Sequence, residues 1–558
     1  MMIDARTLAN QTSLQTDVCI IGAGPAGITL AREFIGQHFR VCLLESGGLE
    51  ANPEAQELCN GKTVGEPILS PLLTRCRQFG GNANLWCVKI GSGQLGVRYV
   101  PLSKIDFEKR DWVPYSGWPF TRSELDPFYE RAQAVCQSGP YLYQPEAWQD
   151  QNAPQLALDQ DQLVTNMFQF GPSQVFTQRY KDELQQADNI TVYLNANAVE
   201  IEVNDSAKVV NRVRVACLGG SQFWVSARVI VVAKGGLGNA RLLLMSNRQQ
   251  TQGLGNQHDL VGRFFMEHPL LVGGTFTPSN PDLFNRMALY DLRQVRGSSV
   301  QGHLALSKSL IEREHLLSVS ATFFPRPSLR QQQAIAAFKD LAEPFIAKEI
   351  PSDIPQKLIK VLSGLDYVML ASYLGATKHQ SLLHGFGRGG WSELPNNQRR
   401  FKMFEVCLQT EQMPDPANRV RLSQERDVLG CPKLILDWRW GDRNRESMQR
   451  AKVIMAENLA RAGLGTFHLK DEGELPTLGG PAGMAHHIGT TRMHVDPTQG
   501  VVDEHCCVHG LANLFMAGSS VFPTGGYANP TLTIVALSLR LADHLKQLMA
   551  GSTAVELS

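Results

Sequence analysis

The first 45 residues contain the pattern that most restricts how this chain can fold. A buried-type apolar run at residues 18–21 leads directly into Gly22-Ala23-Gly24-Pro25-Ala26-Gly27. Helical spacing follows over residues 28–34, and a second apolar run over residues 40–44 ends at Glu45. Strand, glycine turn, helix and strand in this order predict a βαβ unit in a parallel sheet.

Each glycine of this turn has a physical role. Gly22 permits the tight turn, Gly24 lets the backbone approach a pyrophosphate, and Gly27 lets the helix pack closely on the strand. The helix N-terminus offers free N–H groups and a positive dipole end to phosphates. Glu45, about twenty residues beyond the glycines, is placed for a ribose diol and argues against a 2′-phosphate. The pattern predicts dinucleotide binding without separating FAD from NAD; the alternative is a glycine-rich turn in an ordinary α/β unit.

Composition narrows the functional class. With 53 basic and 53 acidic residues the formal net charge is zero, so neither nucleic acid nor an anionic membrane surface is indicated as a partner. No run of about 18 apolar residues predicts a spanning helix, and residues 1–16 lack the apolar core of a secretory signal. A cytoplasmic location is expected, with export on a partner subunit left open. The eleven cysteines show no metal-ligand spacing, so no metal site is predicted.

A second informative segment lies near the C-terminus. His486 and His487 stand before a glycine, and Asn529-Pro530 opens a helix predicted to run to about residue 548. Asn529 is a good N-cap, and Pro530 suits the first helical position. The positive end of that helix would stabilise the negative N1–C2=O edge of a reduced flavin. A capped amphipathic helix without a ligand is the alternative.

Seven segments of the chain stand in the order found in one enzyme family. They are GAGPAG with Glu45, RQFGG, VVAKGGLGNARLLL, GRFFMEHP, PDPANRVRLS, HHIGTTRM and GGYANPTLT. On these motifs the chain resembles the glucose–methanol–choline (GMC) oxidoreductase family over most of its length. The wording is most similar to the pyranose oxidase and sugar or gluconate dehydrogenase branch. Ala240-Arg241 and Ser246-Asn247 depart from the family's usual second signature, which weakens transfer of a substrate from the glucose oxidase or choline oxidase branches.

The resemblance implies FAD as the cofactor and a set of site residues. His486 falls on the family's catalytic histidine and Asn529 on its partner position. Leu85 stands where members with covalent FAD often carry histidine, so non-covalent FAD is expected. Possible substrate contacts are His487, Glu411, Gln412 and His268. The expected cofactor-binding residues are Gly22, Gly24, Ala26, Gly27, Glu45, Ser46, Arg77, Gly80, Gly81, Asn82, Asn84, Trp86, Val199, Ala233, Gly518, Ser519, Asn529 and Thr531.

The predicted fold is α/β, or α+β overall. A Rossmann-like FAD-binding domain with a parallel sheet is expected from residues 1–270, with some substrate-domain segments included. A substrate-binding domain built on an antiparallel sheet with helices is expected from residues 271–480. Residues 481–558 should complete the FAD-binding domain and carry the catalytic pair.

A largely helical segment is expected within the predicted substrate domain. Residues 332–383 have helical spacing, and Ala337, Phe338, Leu341 and Phe345 form an apolar stripe. Such a stripe is typical of core packing. A docking face for a partner or a membrane is the alternative.

The expected reaction is oxidation of an alcohol to a carbonyl compound. Neutral His486 would take the hydroxyl proton as general base, Asn529 would hold the substrate oxygen, and the hydride would pass to flavin N5. The resemblance favours a small-molecule alcohol, namely a secondary hydroxyl of a sugar or glycoside. Oxygen or a quinone-like compound would accept the electrons, with a dehydrogenase favoured. A flavin-containing lyase and a non-catalytic subunit are the alternatives, and a homo-oligomer is left open.

Overall fold

The structure is a computed structural model that describes residues 1–90, 94–346, 350–378, 387–470 and 484–551. Two large sheets and one small sheet organise these residues. The first sheet contains the two strands of the N-terminal βαβ unit, and the second is the antiparallel sheet expected for the substrate-binding domain.

The first sheet is mainly parallel. Its strands, in spatial order, are Met2–Asp4, Ile190–Leu194, Val41–Leu44, Thr12–Ile21, Gln222–Val232, Val210–Ala216 and Asn197–Val203, with Leu514–Met516 also beside Gln222–Val232. Pairing is parallel along the sheet as far as Gln222–Val232 and antiparallel in the last two pairs. The strand Gln222–Val232 and the helix Gly235–Met245 that follows it therefore form a second βα unit on the first sheet, where Val229 lies opposite Val18.

Helices cover this sheet. Pro25–Glu33 follows the glycine turn with Gly24 as its N-cap, three residues earlier than the apolar spacing indicated. The start at Pro25 follows from the proline ring, whose φ suits the first helical turn. The C-terminal helix Thr531–Gly551 packs beside Pro25–Glu33 and Arg122–Cys136. Tyr129 of helix Arg122–Cys136 and Thr533 of the C-terminal helix share a hydroxyl–hydroxyl hydrogen bond of 2.8 Å.

The second sheet is antiparallel. Its strands, in spatial order, are Gly465–Leu469, Leu270–Pro278, Met403–Thr410, Val319–Arg326, Ser298–Leu306, Leu163–Pro172, Gln94–Tyr99 and Val88–Ile90, with Arg293–Val295 beside Ser298–Leu306. The small third sheet joins Arg419–Arg426, Pro432–Trp438 and Gly61–Gly65. The other helices are Pro53–Glu57, Lys104–Phe107, Tyr180–Gln186, Gly235–Met245, Leu283–Arg286, Lys308–Glu314, Leu329–Ile346, Ile354–Ser363, Leu365–Lys378, Asn397–Arg400 and Asp442–Arg461.

The predicted fold class is confirmed. Three domains that followed one another along the chain would need few crossings between the sheets. The chain crosses more often, because Gln94–Tyr99 and Leu163–Pro172 belong to the second sheet. Both lie within the predicted N-terminal domain, which was expected to include such segments. The predicted boundary at residues 480 and 481 lies outside the described residues.

The segment predicted to be largely helical, with breaks at Pro351 and Pro355, consists of three helices. Leu329–Ile346 is followed by Ile354–Ser363 and Leu365–Lys378, and residues 379–383 lie outside the described ranges. In the predicted apolar stripe Ala337 is buried, whereas the Phe338 side chain is 40% exposed. None of the described helices is long and apolar enough to cross a membrane alone; Ile354–Ser363 and Leu365–Thr377, bent by 88°, meet that length and composition test only as a pair.

Candidate active site

A cleft of about 480 Å³ opens where the glycine turn, the loop of residues 73–88 and the C-terminal segment meet. Its volume falls in the range of small-molecule and cofactor sites. The wall includes Gly24 at one end and His486 with Asn529 at the other. Both ends of the chain therefore contribute to one cavity, as the motifs predicted.

Most of the residues expected to bind the cofactor line this cleft. They are Gly22, Gly24, Ala26, Glu45, Ser46, Arg77, Gly81, Asn82, Trp86, Ala233, Gly518, Ser519, Asn529 and Thr531. Gly27, Gly80, Asn84 and Val199 are not in its wall.

Three of those four residues stabilise the wall without lining the cleft. A Cβ at Gly27 would lie 1.9 Å from the Gly22 carbonyl oxygen, so Gly27 serves the close packing of helix and turn. Gly80 has φ of 93° and donates its N–H to the Ala23 carbonyl over 2.8 Å. Asn84 donates to the carbonyls of Phe79 and Gly81 and so holds the loop. Val199 instead lines a small adjoining cavity.

Glu45 lies at the end of strand Val41–Leu44, as the βαβ pattern predicted. Its carboxylate accepts hydrogen bonds from the backbone N–H groups of Ala23 at 2.9 Å and Gly47 at 2.8 Å, and from the Ser46 hydroxyl at 3.1 Å. Burial raises the pKa of Glu45, although these hydrogen bonds oppose the shift. The carboxylate is held rigidly at the cleft wall and keeps lone pairs for a ribose diol.

The same end of the cleft is rich in cations, one of them buried and two partly buried. Arg75, Arg77 and Lys234 line it, and Arg75 Nη1 and Arg77 Nε have no hydrogen-bond partner among the described residues. Burial and the nearby Arg77, Arg241 and Arg75 lower the pKa of Lys234 to about 7. Buried donors of this kind require an anionic partner. With the N-terminus of helix Pro25–Glu33 they fit the pyrophosphate of FAD.

His486 and Asn529 meet at the other end of the cleft. His486 Nε2 lies 3.2 Å from Asn529 Nδ2, and both side chains are buried. Burial, with smaller contributions from His268, Arg98 and His487, holds the pKa of His486 well below its usual value. The imidazole is therefore neutral at ordinary pH, as a general base must be.

Arg98 determines the orientation of Asn529, and the sequence did not predict this role. Arg98 Nε donates to Asn529 Oδ1 over 2.9 Å, and Gln409 Nε2 donates to the same oxygen over 3.2 Å. Arg98 also hydrogen-bonds the Gln409 side chain. A guanidinium only donates, so Asn529 must turn its oxygen to Arg98 and its N–H₂ group to His486. Burial lowers the pKa of Arg98 to about 9, which leaves it cationic at neutral pH.

This orientation decides which nitrogen of His486 is basic. Asn529 Nδ2 is a donor, so the facing His486 Nε2 carries the lone pair. The proton then resides on His486 Nδ1, which lies 3.0 Å from His268 Nδ1. His268 Nδ1 accepts the hydrogen bond that this N–H group donates. His268 is neutral as well, because burial lowers its pKa to about 4, although backbone hydrogen bonds at Gly526 and Gly525 oppose the shift.

Glu267 holds the two histidines from the side opposite the cleft. Its carboxylate accepts from the backbone N–H groups of His268 at 2.9 Å and His486 at 2.9 Å. Burial raises the pKa of Glu267 to about 7, although the backbone hydrogen bonds oppose this. The motif GRFFMEHP therefore supplies both a partner for the His486 ring and an anchor for its backbone. His268, a predicted substrate contact, is not among the residues of the cleft wall and instead contacts His486 Nδ1.

The predicted N-cap role of Asn529 is wrong by one position. The helix begins at Thr531, and the Pro530 carbonyl accepts the N–H of Ile534 over 2.8 Å. Asn529 therefore precedes the cap. Its side-chain oxygen is used by Arg98 and Gln409 and is not available to the helix N–H groups.

Glu411 does not contact the cleft, and the predicted substrate contact is wrong. Its carboxylate binds both terminal nitrogens of Arg110, at 3.0 and 2.5 Å, and accepts from the backbone N–H of Ser318. Burial raises the pKa of Glu411, but the Arg110 guanidinium more than offsets this and brings it below the usual value. The residue belongs to a fully buried ion pair.

Gln412 is likewise not a substrate contact. Its side-chain oxygen accepts from the Glu267 N–H and from the Trp438 indole, and its nitrogen donates to the Arg439 carbonyl. Its amide group is used by these partners, and its role is to support Glu267.

His487 lies in the cleft wall beside His486 and packs against Gly236 and Ser519. A Cβ at Gly236 would lie 2.7 Å from the His487 Cβ, and Ser519 donates to the His487 carbonyl. Burial, and to a lesser extent Arg75, lowers the pKa of His487 to about 3. Among the described residues no group of three or more His, Cys, Asp or Glu side chains could hold a metal ion.

Comparisons with known proteins show what the chain is similar to. Residues 414–538 match the family model described as GMC oxidoreductase. Over 588 aligned residues the chain is 23% identical to 2-methyl-1,2-propanediol dehydrogenase of Mycolicibacterium austroafricanum, covering 96% of this chain and 95% of that protein. It is 34% identical over 122 residues to C-glycoside 3-oxidase of Arthrobacter globiformis, which is 22% of each.

A crystal structure of formate oxidase has the same fold. The TM-score is 0.54 at 17% identity, over 97% of this chain and 100% of that one. The matched C-terminal residues include Asn529, and the likeness to the diol dehydrogenase extends over nearly the whole chain. The C-terminal part of the chain thus matches the GMC oxidoreductases, and the whole chain is similar to an enzyme that its name describes as a diol dehydrogenase; the protein is a FAD-dependent oxidoreductase acting on the CH–OH group of an alcohol or sugar-type substrate.

Proposed function

We propose that the protein removes a hydride from a secondary hydroxyl carbon of a sugar or glycoside, with His486 as the general base. The observation that carries this proposal is the pair formed by His486 Nε2 and Asn529 Nδ2, which lie 3.2 Å apart in the cleft wall. One atom is a lone-pair acceptor and the other is a donor. A hydroxyl group needs both, one for its proton and one for its oxygen.

The substrate hydroxyl would bind between these two side chains. Its proton passes to His486 Nε2, while Asn529 Nδ2 donates to the oxygen as negative charge develops there. The His486 Nδ1–H remains hydrogen-bonded to His268 during this transfer. Arg98 holds the Asn529 amide in its donating orientation. The proton therefore has one acceptor, and the oxygen has one donor.

When bound, FAD supplies the hydride-accepting N5 of its isoalloxazine ring. FAD is held non-covalently in this proposal. Leu85, which has no nucleophilic atom, lines the cleft at the position where a histidine link would form.

The substrate class follows from the cleft and from the relatives. Arg98, Gln301 and Asn529 add polar groups to the cleft near His486, as recognition of a molecule with several hydroxyl groups requires. The likeness to a C-glycoside 3-oxidase supports a secondary ring hydroxyl. The full-length likeness to a diol dehydrogenase supports an external electron acceptor, quinone-like, in preference to oxygen.

The test is anaerobic reduction of the flavin by a panel of sugars, glycosides and simple diols, followed by stopped-flow absorbance. The wild-type protein should bleach with one class of glycoside, and admitting air should restore the colour slowly. His486→Ala should retain FAD and lose at least about a hundredfold in reduction rate, the usual contribution of a general base. His487→Ala removes the same side chain one residue away and should change that rate far less.

Two outcomes would contradict the proposal. His486→Ala bleaching at the wild-type rate would remove the base from His486. A wild-type protein that binds the glycosides but keeps its flavin oxidised would exclude the redox reaction and favour a lyase.

A further inference from the structure

The helices Ile354–Ser363 and Leu365–Lys378 expose the apolar faces that a soluble protein normally buries. We refer to the exposed apolar side chains of residues 350–373 as the 350–373 patch. Its exposed side chains are Ile350, Ile354, Leu358, Ile359, Leu362, Leu365, Met369 and Tyr373, with exposed fractions from 38% to 91%. Exposed apolar residues scattered singly need no explanation, but a contiguous group indicates an interaction site.

The exposed residues follow helical periodicity. Ile354, Leu358 and Leu362 are spaced by four along the first helix, and Leu365, Met369 and Tyr373 continue the spacing along the second. Residues four apart lie on one face of a helix. Each helix therefore presents an unbroken apolar stripe to solvent.

The opposite faces of the two helices anchor them to the protein. Val361, Tyr367, Val368 and Leu374 are buried. At the bend between the helices, a Cβ on Gly364 would lie 2.5 Å from the Ala334 Cβ of the preceding helix. Packing of these buried residues against the protein therefore keeps the apolar stripes of the two helices directed outward.

The composition of the patch is that of a lipid-facing surface rather than a protein interface. Of the three residue types in which binding hot spots are enriched, residues 350–373 contain neither arginine nor tryptophan and expose one tyrosine, Tyr373. The two helices together also meet the length and hydropathy test for a membrane segment, although bent by 88°. Because so much of their apolar surface is exposed, they are not the core helices that also pass such a test.

We propose that the 350–373 patch seats the protein on the surface of a lipid bilayer, with both helices lying in the interface. This goes beyond the proposed function and does not depend on it. The two lysines, Lys357 and Lys360, are balanced by Asp353 and Asp366. Attachment is therefore driven by apolar burial, and it requires neither anionic lipid nor low salt.

The second helix of the patch is followed along the chain by a residue of the cleft wall. Gly387, nine residues after Lys378, lines the cleft, and its carbonyl accepts the N–H of Lys89 over 2.9 Å. Leu73 and Leu85 also line the cleft, and both side chains are exposed.

The test is flotation of the FAD-loaded full-length protein with phosphatidylcholine vesicles on a density gradient, at low and at high salt. Wild-type protein should float in both. Leu362→Glu combined with Met369→Glu should lower the vesicle-bound fraction by about tenfold or more. Val428→Glu combined with Val495→Glu is the matched control, since both valines are exposed far along the chain from the patch, at 80% and 59%. It should float like the wild type.

Retained flavin absorbance and substrate-driven bleaching in the Leu362/Met369 variant would show that lost flotation is not lost folding. Monodisperse wild-type protein that stays out of the vesicle fraction would overturn the proposal. So would binding confined to phosphatidylglycerol vesicles and abolished by high salt, which indicates charge adsorption. A vesicle-free dimer that this variant converts to monomer would assign the patch to a second copy of the chain and also overturn it.

Discussion

A short series of hydrogen bonds determines the protonation state of His486. Arg98 orients Asn529, Asn529 faces His486 Nε2, and His486 Nδ1 faces His268. Each step follows from the donor inventory of the group before it. The Arg98 guanidinium at one end of the series therefore determines which nitrogen of the His486 imidazole is basic. In an isolated histidine nothing makes that choice.

His268 should act as a positioning residue for the reaction. His268→Leu removes the acceptor of the His486 Nδ1 proton, so the ring can adopt the other tautomer. We expect flavin reduction to slow by about 10- to 100-fold, as for other outer partners of functional histidines. His268→Asn keeps an acceptor oxygen and should recover part of the rate.

The pH profile separates this role from a purely structural one. His268 contributes to the low pKa of His486, so in His268→Leu the pKa of His486 should rise. The acid limb of the reduction rate should move to higher pH. A slower rate with an unmoved acid limb would show that His268 only supports the packing.

Glu267 should make stability depend on pH. Burial raises its pKa from 4.5 to about 7, so between these values the folded protein binds a proton that the unfolded chain releases. The stabilisation is complete below pH 4.5 and is lost as pH rises to about 7, by up to about 3 kcal/mol. Glu267→Gln should flatten this part of the curve of unfolding free energy against pH, measured by urea denaturation.

Asp291 provides the matched control for that measurement. Burial raises its pKa to about 7, and its carboxylate is held by Ser392 and the Gly390 N–H rather than by either histidine. Asp291→Asn should flatten the stability curve without changing flavin reduction, whereas Glu267→Gln should change both. A steep curve in Glu267→Gln, equal to the wild type, would contradict the assignment.

Single residues were the hardest part of the site to predict. Glu411 beside Gln412 and a proline suggested a polar contact, but its partner Arg110 lies 301 positions away. Arg98 was missed because it meets Asn529 across 431 positions and belongs to no motif. Chemistry of this kind depends on which distant side chains meet, and local spacing does not contain that information.

At the level of elements, local patterns were sufficient. The βαβ unit was predicted in the right order, since strand, turn and helix are each specified by neighbours, although the first strand begins six residues and the helix three residues earlier than predicted. The start of the C-terminal helix was misplaced by one residue because Asn529 makes tertiary hydrogen bonds that compete with capping. The segment that holds the three helices at 329–378 was predicted as helical. Which faces of these helices are exposed could not be predicted, because that depends on which other parts of the chain pack against them.

The glycine turn allows a direct comparison of two substitutions. A Cβ at Gly24 would have its nearest neighbour 4.0 Å away, at Gly81 Cα, and Gly24 lines the cleft. Gly24→Ala should therefore fold normally but lose FAD, because the methyl group occupies the approach path of the pyrophosphate. Gly27→Ala places its Cβ 1.9 Å from the Gly22 oxygen and should cost about 1–3 kcal/mol or prevent folding.

Two measurements distinguish these outcomes. The flavin-to-protein absorbance ratio reports cofactor retention, and the melting temperature of the FAD-free proteins reports folding. Loss of stability in FAD-free Gly24→Ala would mean that this glycine serves the turn itself.

At the scale of the whole molecule, the two large sheets share one chain that passes repeatedly between them. The second sheet takes strands from residues 88–172 and again from 270–469, while the first is completed by Leu514–Met516. Arg131 ties helix Arg122–Cys136 to Asp543 of the C-terminal helix and to Glu33 of the first helix. Neither sheet can therefore be completed by a continuous half of the chain.

This interleaving predicts how the protein unfolds when FAD is removed. The cleft joins residues from both ends of the chain, so FAD binds only the assembled fold and stabilises it by mass action, by about 3 kcal/mol at a hundredfold excess over its dissociation constant. The FAD-free protein should melt at a lower temperature, yet still in one transition. Circular dichroism and tryptophan fluorescence should report the same midpoint, with and without FAD, whereas separate midpoints in the FAD-free protein would show that the sheets fold as independent units.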